Sequence, residues 1–302
     1  LSVGAARSHA LKEADVIFLM GARLNWIMHF GSKPRFKEGV KIIQLDISHE
    51  QIGNNQPTEV PLVGDGKAIT GQLNKALQNR QWFYPADTEW RGALKEKADA
   101  NAVQIQPMID DNSTPTNYYR ALKDIREAMT EDTIIIGEGA NTMDIGRTQL
   151  PNASPRLRLD AGSYGTMGIG MGFAIAAAVV NPDQPVVSVS GDSALGFSGM
   201  EIETACRHKL PIKIVVLNNG GIGRGVEALP TDGQMPAHLL TVAARYDKMM
   251  EAFGGKGFYV EDPADLKQAL ADAKAHDGPT LVNVRLHPEA GRKPQQFGWL
   301  TT

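Results

Sequence analysis

The stretch "GDSALGFSGMEIETACRHKLPIKIVVLNNGGIG", residues 191–223, decides the fold because it joins two strand ends that carry polar side chains. The apolar run "PVVSVS" before it predicts a strand that ends at Gly191, and "IKIVVLN" predicts a second strand that ends beside Asn219. Asp192 and Asn219 are separated by 27 positions, which leaves room for a helix and a return strand. Because parallel strands end at the same edge of a sheet, we expect the two side chains to lie close together.

The first end of this stretch has the chemistry of a phosphate site. Gly191 carries no Cβ, so the backbone can approach a ligand there. Ser193 and Ala194 follow at the predicted start of a helix, where their backbone N–H groups can donate to phosphate oxygens. This pattern predicts that Gly191, Ser193 and Ala194 bind a phosphorylated cofactor.

The two ends together offer ligands for a hard cation. Asp192 supplies a carboxylate, Asn219 an amide oxygen and Gly221 a backbone carbonyl. With two phosphate oxygens, these groups would complete the octahedral oxygen shell that Mg²⁺ prefers. The sequence therefore predicts a magnesium site formed by Asp192, Asn219 and Gly221.

Composition excludes several other classes of protein. The 302 residues are 42% hydrophobic and 22% charged, with a net charge of -3 and a pI near 6.2, so neither nucleic acid nor a membrane surface is an expected partner. No apolar run reaches the ~18 residues of a membrane span, and the start resembles no signal peptide. The single cysteine, Cys206, is a nucleophile or a packing thiol; without a disulfide partner in the chain it suits the cytoplasm.

Alternating strand and helix patterns predict an α/β protein with two doubly wound parallel-sheet domains. We expect a nucleotide-binding-like middle domain at 1–105, a polar and proline-containing linker at 106–116, and a pyrophosphate-binding domain at 117–302. Within the last of these, "HLLTVAARYDKMMEAFG" at 238–254 predicts one continuous helix.

A second candidate site lies in the first half. "GARLNW", residues 21–26, and Asp46 each follow directly after a predicted strand. Arg23 could bind a phosphate in a bidentate way, and Asp46 could accept hydrogen bonds from ribose hydroxyls. The alternative is a helix cap and a surface ion pair.

Several motifs together resemble one family. G-D-S followed at this interval by N-N looks like the pyrophosphate and metal motif of thiamine diphosphate enzymes. "GSYGTMGIGMGFAIAAAVV" at 162–180, "GEGANTMD" at 137–144 and "AARSHALKEADVIFLMGARLNW" at 5–26 extend the likeness. Over nearly its full length the chain resembles the middle and carboxyl-terminal domains of the 2-hydroxyacyl-CoA lyase and oxalyl-CoA decarboxylase family.

The resemblance implies roles for further residues. The carbonyl of Gly165 would accept a hydrogen bond from the aminopyrimidine ring, and Met167 would hold the cofactor bent, although Met167 alone could be a core methionine. Asn141 and Thr142, in a loop, would donate to the diphosphate, and Ile222 would contact the cofactor.

The family also implies nucleotide contacts outside this site. ADP, an activator in such relatives, would use Arg23 and Asp46. Arg156 and Arg158, in "PRLRLD", would meet CoA phosphates or else form a structural ion pair. The ending "QQFGWL", residues 295–300, would close over the thioester as a lid or fray.

The implied reaction is cleavage of a 2-hydroxyacyl-CoA to formyl-CoA and an aldehyde, which is reversible. The alternatives are oxalyl-CoA decarboxylation to formyl-CoA and CO₂, and a non-catalytic nucleotide-binding subunit. Relatives imply a homo-oligomer, either a dimer or a tetramer. Two departures stand out: Gly223 replaces a usual tyrosine, and residues 1–302 contain no segment like the pyrimidine domain with its activating glutamate. We expect that domain elsewhere, on this or another chain.

Overall fold

The computed structural model describes residues 4–80 and 83–293, which fall into two compact units. Residues up to Gln104 form the first unit, and Ile105–Lys293 form the second. Each unit contains a parallel sheet, so the predicted α/β class with two parallel-sheet domains is confirmed. The expected lid at 295–300 lies outside the described residues.

The first unit is built on a sheet in which three strands pair in chain order and run parallel. The strands are β1 (Val16–Met20), β2 (Lys41–Asp46) and β3 (Val60–Val63). The helices are α1 (Arg7–Glu13) and α2 (Gly66–Leu77), with 3-10 turns at Gly4–Ala6, Trp26–Gly31 and His49–Gln51. Asp65 caps α2 by accepting a hydrogen bond from Ala68 N.

A long helix, α3 (Glu89–Ile109), continues past the end of the first unit. It includes Pro107 and runs into the residues that were expected to be the linker. The non-helical part of the predicted 106–116 segment is therefore shorter than its polar composition indicates. Pro107 lies in the last turn of α3, where it removes one backbone hydrogen-bond donor but leaves the helix continuous to Ile109.

The second unit contains a six-stranded parallel sheet with the strand order β5-β4-β6-β7-β9-β8. Its strands are β4 (Ile134–Glu138), β5 (Arg158–Asp160), β6 (Val186–Gly191), β7 (Lys213–Asn218), β8 (Lys256–Val260) and β9 (Thr280–Arg285). Its helices after α3 are α4 (Tyr118–Ala128), α5 (Ala140–Gln149), α6 (Gly170–Val180), α7 (Asp192–Ser198), α8 (Glu201–Arg207), α9 (Tyr246–Ala252) and α10 (Pro263–Ala275).

The core forms on both faces of this sheet because successive side chains of a strand point to opposite sides. In β4, Ile135 packs in the cluster under α4, α5 and α10, whereas Ile134 and Ile136 pack in the cluster under α6, α8 and α9. Val215 and Ile214 of β7 divide between the two clusters in the same way. Burial on both faces explains the uninterrupted apolar runs in the sequence.

The predicted helix over 238–254 is wrong for its first half, since only Tyr246–Ala252 is helical there. Backbone groups of the earlier residues bond to the loop after β7 instead: His238 O accepts from Ile222 N at 2.7 Å, and Leu240 N donates to Gly220 O at 2.9 Å. Ala243 has a left-handed φ of 51°, which interrupts a helix. Pairing with the loop thus replaces local helix formation.

Candidate cofactor site at the carboxyl edge of the sheet

Asp192 connects the ends of the two central strands of the second unit. It follows β6, begins α7 and is only 2% exposed. Its Oδ2 accepts a hydrogen bond from Gly220 N, just beyond β7, at 2.7 Å, and its Oδ1 accepts from Ser193 N at 2.8 Å. The fold therefore brings Asp192 and the Asn219–Gly221 segment to one corner, as the strand spacing predicts.

This corner has the chemistry of a divalent cation site. Burial raises the pKa of Asp192 to about 6, and backbone N–H groups of Ser193, Gly220 and Gly221 act in the opposite direction. Within the described residues, no lysine, arginine or histidine forms an ion pair with this carboxylate. Because a buried charge is costly without a counterion, a cation with amide and carbonyl ligands fits here.

The carbonyl of Gly223 connects two predicted cofactor residues. It accepts hydrogen bonds from Asn141 Nδ2 at 3.0 Å and from Asn219 Nδ2 at 3.2 Å. When its amide nitrogen donates to Gly223, Asn219 keeps its oxygen available as a metal ligand. Gly223 has a φ of +80°, and no atom lies within 4 Å of the Cβ position. Gly223, where the resemblance implies a tyrosine, thus has a backbone conformation that favours glycine.

The loop after β7 is compact because two glycines allow close backbone contacts. A Cβ on Gly221 would lie 2.1 Å from Arg224 O, and a Cβ on Gly225 would lie 2.0 Å from Asn219 O. Gly221 also forms an isolated antiparallel bridge with Leu239, which fixes the loop to the segment before α9. Gly221 therefore presents its carbonyl from a loop that admits no side chain at that position, whereas Ile222 is exposed beside it.

Two tyrosines beside Asp192 were not predicted from the sequence. Burial and the nearby Asp192 charge raise the pKa of Tyr118, while hydrogen bonds with Asn141 and Thr142 oppose that shift. Burial, with a smaller contribution from Asp192, raises the pKa of Tyr246 to about 12. Both tyrosines come from helix starts distant in sequence, so no spacing rule could have found them.

The predicted diphosphate residues meet where β4 and β6 end. Asn141 and Thr142 lie in the first turn of α5 rather than in the expected loop. A Cβ on Gly191 would lie 3.3 Å from Thr142 Oγ1, so this glycine permits the contact between the two turns. Ser193 and Ala194 occupy the first turn of α7 beside them.

Gly165 and Met167 lie in the loop between β5 and α6, at the same edge of the sheet. Gly165 has a φ of +62° and is exposed, and Met167 is half-buried. Asp160, which ends β5, accepts from Gly162 N at 2.9 Å and pairs with Arg147, so the loop is fixed where it begins.

Arg156 and Arg158 lie at the opposite edge. Arg156 precedes β5 and lines a cavity of about 660 Å³ with Glu131 and Asp132, which precede β4. Arg158 is the first residue of β5, and its guanidinium donates to the carbonyl of Leu150. The structure therefore does not bring these arginines to the edge that carries Asp192.

In the first unit, Arg23 and Asp46 follow neighbouring strands. Gly21 N donates to Leu45 O at 2.9 Å, so the ends of β1 and β2 lie side by side. Arg23 is exposed, whereas Asp46 is 5% exposed and accepts from Ser48 N at 2.9 Å. Asp46 thus stabilises the turn after β2 whether or not a nucleotide binds.

Comparison with known families identifies the two units. Residues 138–284 match the model of the thiamine pyrophosphate enzyme, C-terminal TPP binding domain, and residues 2–73 match the thiamine pyrophosphate enzyme, central domain. The chain belongs to the thiamine pyrophosphate enzyme family. The first of the two matches contains the corner at Asp192 and the loop with Gly165.

Comparison with individual proteins shows which members of the family the chain resembles. The chain is 46% identical to 2-hydroxyacyl-CoA lyase 1 of Homo sapiens over 99% of its length and 54% of that protein's. It is 41% identical to 2-hydroxyacyl-CoA lyase of Arabidopsis thaliana, over 96% of the chain and 52% of the relative. With oxalyl-CoA decarboxylase of Escherichia coli K12 the identity is 43%, over 96% and 51%. The chain therefore spans about half the length of the curated relatives it matches.

None of the helices in residues 4–80 and 83–293 combines the length and the apolar character that a membrane span requires.

The raised pKa of Asp192 predicts an unusual pH dependence. A folded-state pKa of about 6, above the ordinary 3.8, means that ionised Asp192 destabilises the metal-free protein above pH 6, and that this cost disappears as pH falls towards 4. Without metal, we expect the wild type to lose about 1–3 kcal/mol of unfolding free energy between pH 4 and pH 8 through this group, and Asp192→Asn, which does not ionise, to lack that loss. Chemical unfolding of both proteins between pH 4 and 8 measures the difference.

Mg²⁺ and thiamine diphosphate should remove this pH-dependent loss in the wild type. At pH 8 both ligands together should stabilise the wild type more than Asp192→Asn, because only the wild type offers the carboxylate. A stability difference that stays constant from pH 4 to 8, or that the ligands leave unchanged, would contradict a metal-binding Asp192.

Proposed function

We propose that this chain forms the cofactor-binding part of a Mg²⁺- and thiamine diphosphate-dependent lyase that cleaves 2-hydroxyacyl-CoA to formyl-CoA and an aldehyde. The observation that carries the proposal is the corner where Asp192 meets Gly220 beside Asn219. The names of the lyase relatives, at 41–47% identity over nearly the whole chain, supply the reaction.

Each element of the corner would have a separate task. When bound, thiamine diphosphate supplies an electron sink that allows a C–C bond next to a carbonyl to break. Asp192, Asn219 and the Gly221 carbonyl would hold Mg²⁺. The first turns of α5 and α7, which carry Asn141, Thr142, Ser193 and Ala194, would bind the diphosphate, and the loop with Gly165 and Met167 would orient the aminopyrimidine.

Gly223 supports the lyase over the decarboxylase. The space around its Cβ position is open, and its carbonyl lies beside Asn141 and Asn219. A glycine there leaves room for the alkyl chain of a 2-hydroxyacyl-CoA, and oxalyl-CoA has no such chain. Oxalyl-CoA decarboxylation remains the second candidate, because that relative is 43% identical.

Exposed apolar side chains on α6 and α7 support an oligomer. Helix α6 is apolar all round, yet Val179 and Val180 are 62% and 74% exposed, and Phe197 at the end of α7 is 67% exposed. A helix of this composition is normally buried on every side. We propose that a pyrimidine domain, contributed within a dimer or tetramer, covers this surface and supplies the activating glutamate.

The compartment we propose is the cytoplasm. Cys206 is a free thiol. Burial raises its pKa, so it is less reactive than an ordinary exposed thiol and persists in a reducing environment.

The reaction is tested by supplying both substrates to the chain together with its pyrimidine domain, in the presence of Mg²⁺ and thiamine diphosphate. We expect a 2-hydroxyacyl-CoA of lactoyl size or longer to yield formyl-CoA and aldehyde faster than oxalyl-CoA yields formyl-CoA, with no turnover from residues 1–302 alone. Asp192→Ala should abolish turnover, whereas Asp183→Ala, an exposed carboxylate at the opposite edge, should not. Chromatography of the CoA esters measures each rate.

Three results would change the assignment. Faster formyl-CoA release from oxalyl-CoA would favour the decarboxylase. Full activity of residues 1–302 alone would remove the need for a separate pyrimidine domain. No turnover of either substrate, with thiamine diphosphate unbound, would favour a non-catalytic nucleotide-binding subunit.

We also propose that ADP binds the first unit through Arg23 and Asp46. ADP should raise the melting temperature of the wild type, because a ligand of the folded state stabilises it. Arg23→Ala with Asp46→Asn, which keeps an acceptor for Ser48 N, should remove most of the shift, and Arg80→Ala should keep it. An unchanged shift in the double variant would contradict this site.

A further inference from the structure

The loop between β5 and α6 needs an anchor at its second end. Residues 161–169 carry Gly165 and Met167, and most of the loop is exposed. Gly165 and Gly168 both have left-handed φ values, +62° and +86°. Glycine restricts the backbone less than other residues, so this loop could adopt many conformations. Contacts with other parts of the unit must therefore stabilise the native one.

Glu138 provides that contact. It ends β4, is 1% exposed and faces the start of α6. One carboxylate oxygen accepts a hydrogen bond from Gly168 N, and the other accepts from Gly170 N at 2.8 Å. Both oxygens are therefore engaged by backbone N–H groups, one inside the loop and one at the first residue of the helix.

The fit between Glu138 and Gly170 is specific. A Cβ on Gly170 would lie 2.3 Å from Glu138 Oε2, so no residue with a side chain fits there without moving the carboxylate. Within the described residues, Glu138 forms no ion pair with a lysine, arginine or histidine. One buried carboxyl group thus accepts from an amide of the loop and from an amide at the start of α6, so the position of the loop depends on this side chain.

The location of Glu138 connects this loop with the diphosphate corner. Glu138 pairs with Ser190 in the sheet, one residue before Gly191. A Cβ on the next residue, Gly139, would lie 3.3 Å from Gly191 N. The strand end that fixes the loop therefore also packs against the turn that precedes Asp192.

We propose that Glu138 is a positioning residue that sets the aminopyrimidine-binding loop relative to the diphosphate corner. The inference rests on the proposed thiamine diphosphate site. Glu138 acts through Gly168 and Gly170, because both of its oxygens are already bonded. It determines whether the two halves of one cofactor can be held at the same time.

Two ligands separate positioning from general stability. At the proposed site, thiamine diphosphate would contact both the corner and the loop, whereas inorganic pyrophosphate with Mg²⁺ would contact only the corner. Glu138→Gln keeps the size of the side chain but replaces one acceptor with a donor that faces a backbone N–H. In the full-length protein, calorimetry should show thiamine diphosphate affinity reduced about 10- to 100-fold and magnesium pyrophosphate affinity unchanged.

Matched variants complete the test. Asp124→Asn changes another buried carboxylate of the second unit, paired with Arg120 in α4, and should lower the melting temperature without selectivity between the two ligands. If Glu138→Gln does not fold, Gly170→Ala should show the same selective loss, because its Cβ displaces the carboxylate while Glu138 remains.

The outcomes are distinct. Equal loss of both ligands in Glu138→Gln and Gly170→Ala, or no loss of either, would overturn the positioning role while the proposed function stands. Failure of the wild type to bind thiamine diphosphate would overturn the proposed function and this role with it.

Discussion

The hydrogen bond from Gly220 N to the carboxylate of Asp192 is the contact on which the proposed cofactor site depends. It joins the ends of β6 and β7 at 2.7 Å and keeps a charged group at a site that is 2% exposed. A buried carboxylate is costly to fold, and the backbone N–H groups around it only partly offset that cost. A bound cation would neutralise this carboxylate. Binding of the cation would therefore both stabilise the corner and complete the proposed site.

Much of this arrangement could be predicted because it follows from strand ends. The apolar runs before Asp192 and Asn219 identify two buried strands, and the interval between them requires a parallel crossover. Three features escaped prediction for physical reasons. The strand Arg158–Asp160 is too short for a pattern, Lys256–Val260 begins with a lysine and a glycine, and residues 238–245 pair with a distant loop instead of continuing a helix.

The residues of the candidate site also include some that could be predicted and some that could not. Sequence reasoning found the residues that are adjacent to strand ends, but it placed Arg156 and Arg158 without knowing at which edge of the sheet they lie. It missed Tyr118, Tyr246 and Glu138, because each acts across the sheet on residues far away in the chain. Only the structure shows that Glu138, inside the quoted "GEGANTMD", bonds to the loop that begins 23 residues later at Ala161.

Anomalous scattering from Mn²⁺ in crystals grown with thiamine diphosphate tests the central claim most directly, because Mn²⁺ replaces Mg²⁺ and its position can be located without bias. The account predicts one strong peak within about 2.5 Å of an Asp192 carboxylate oxygen, Asn219 Oδ1 and the Gly221 carbonyl oxygen. A peak that contacts none of these three atoms, or ordered cofactor with no metal at this corner, would contradict it.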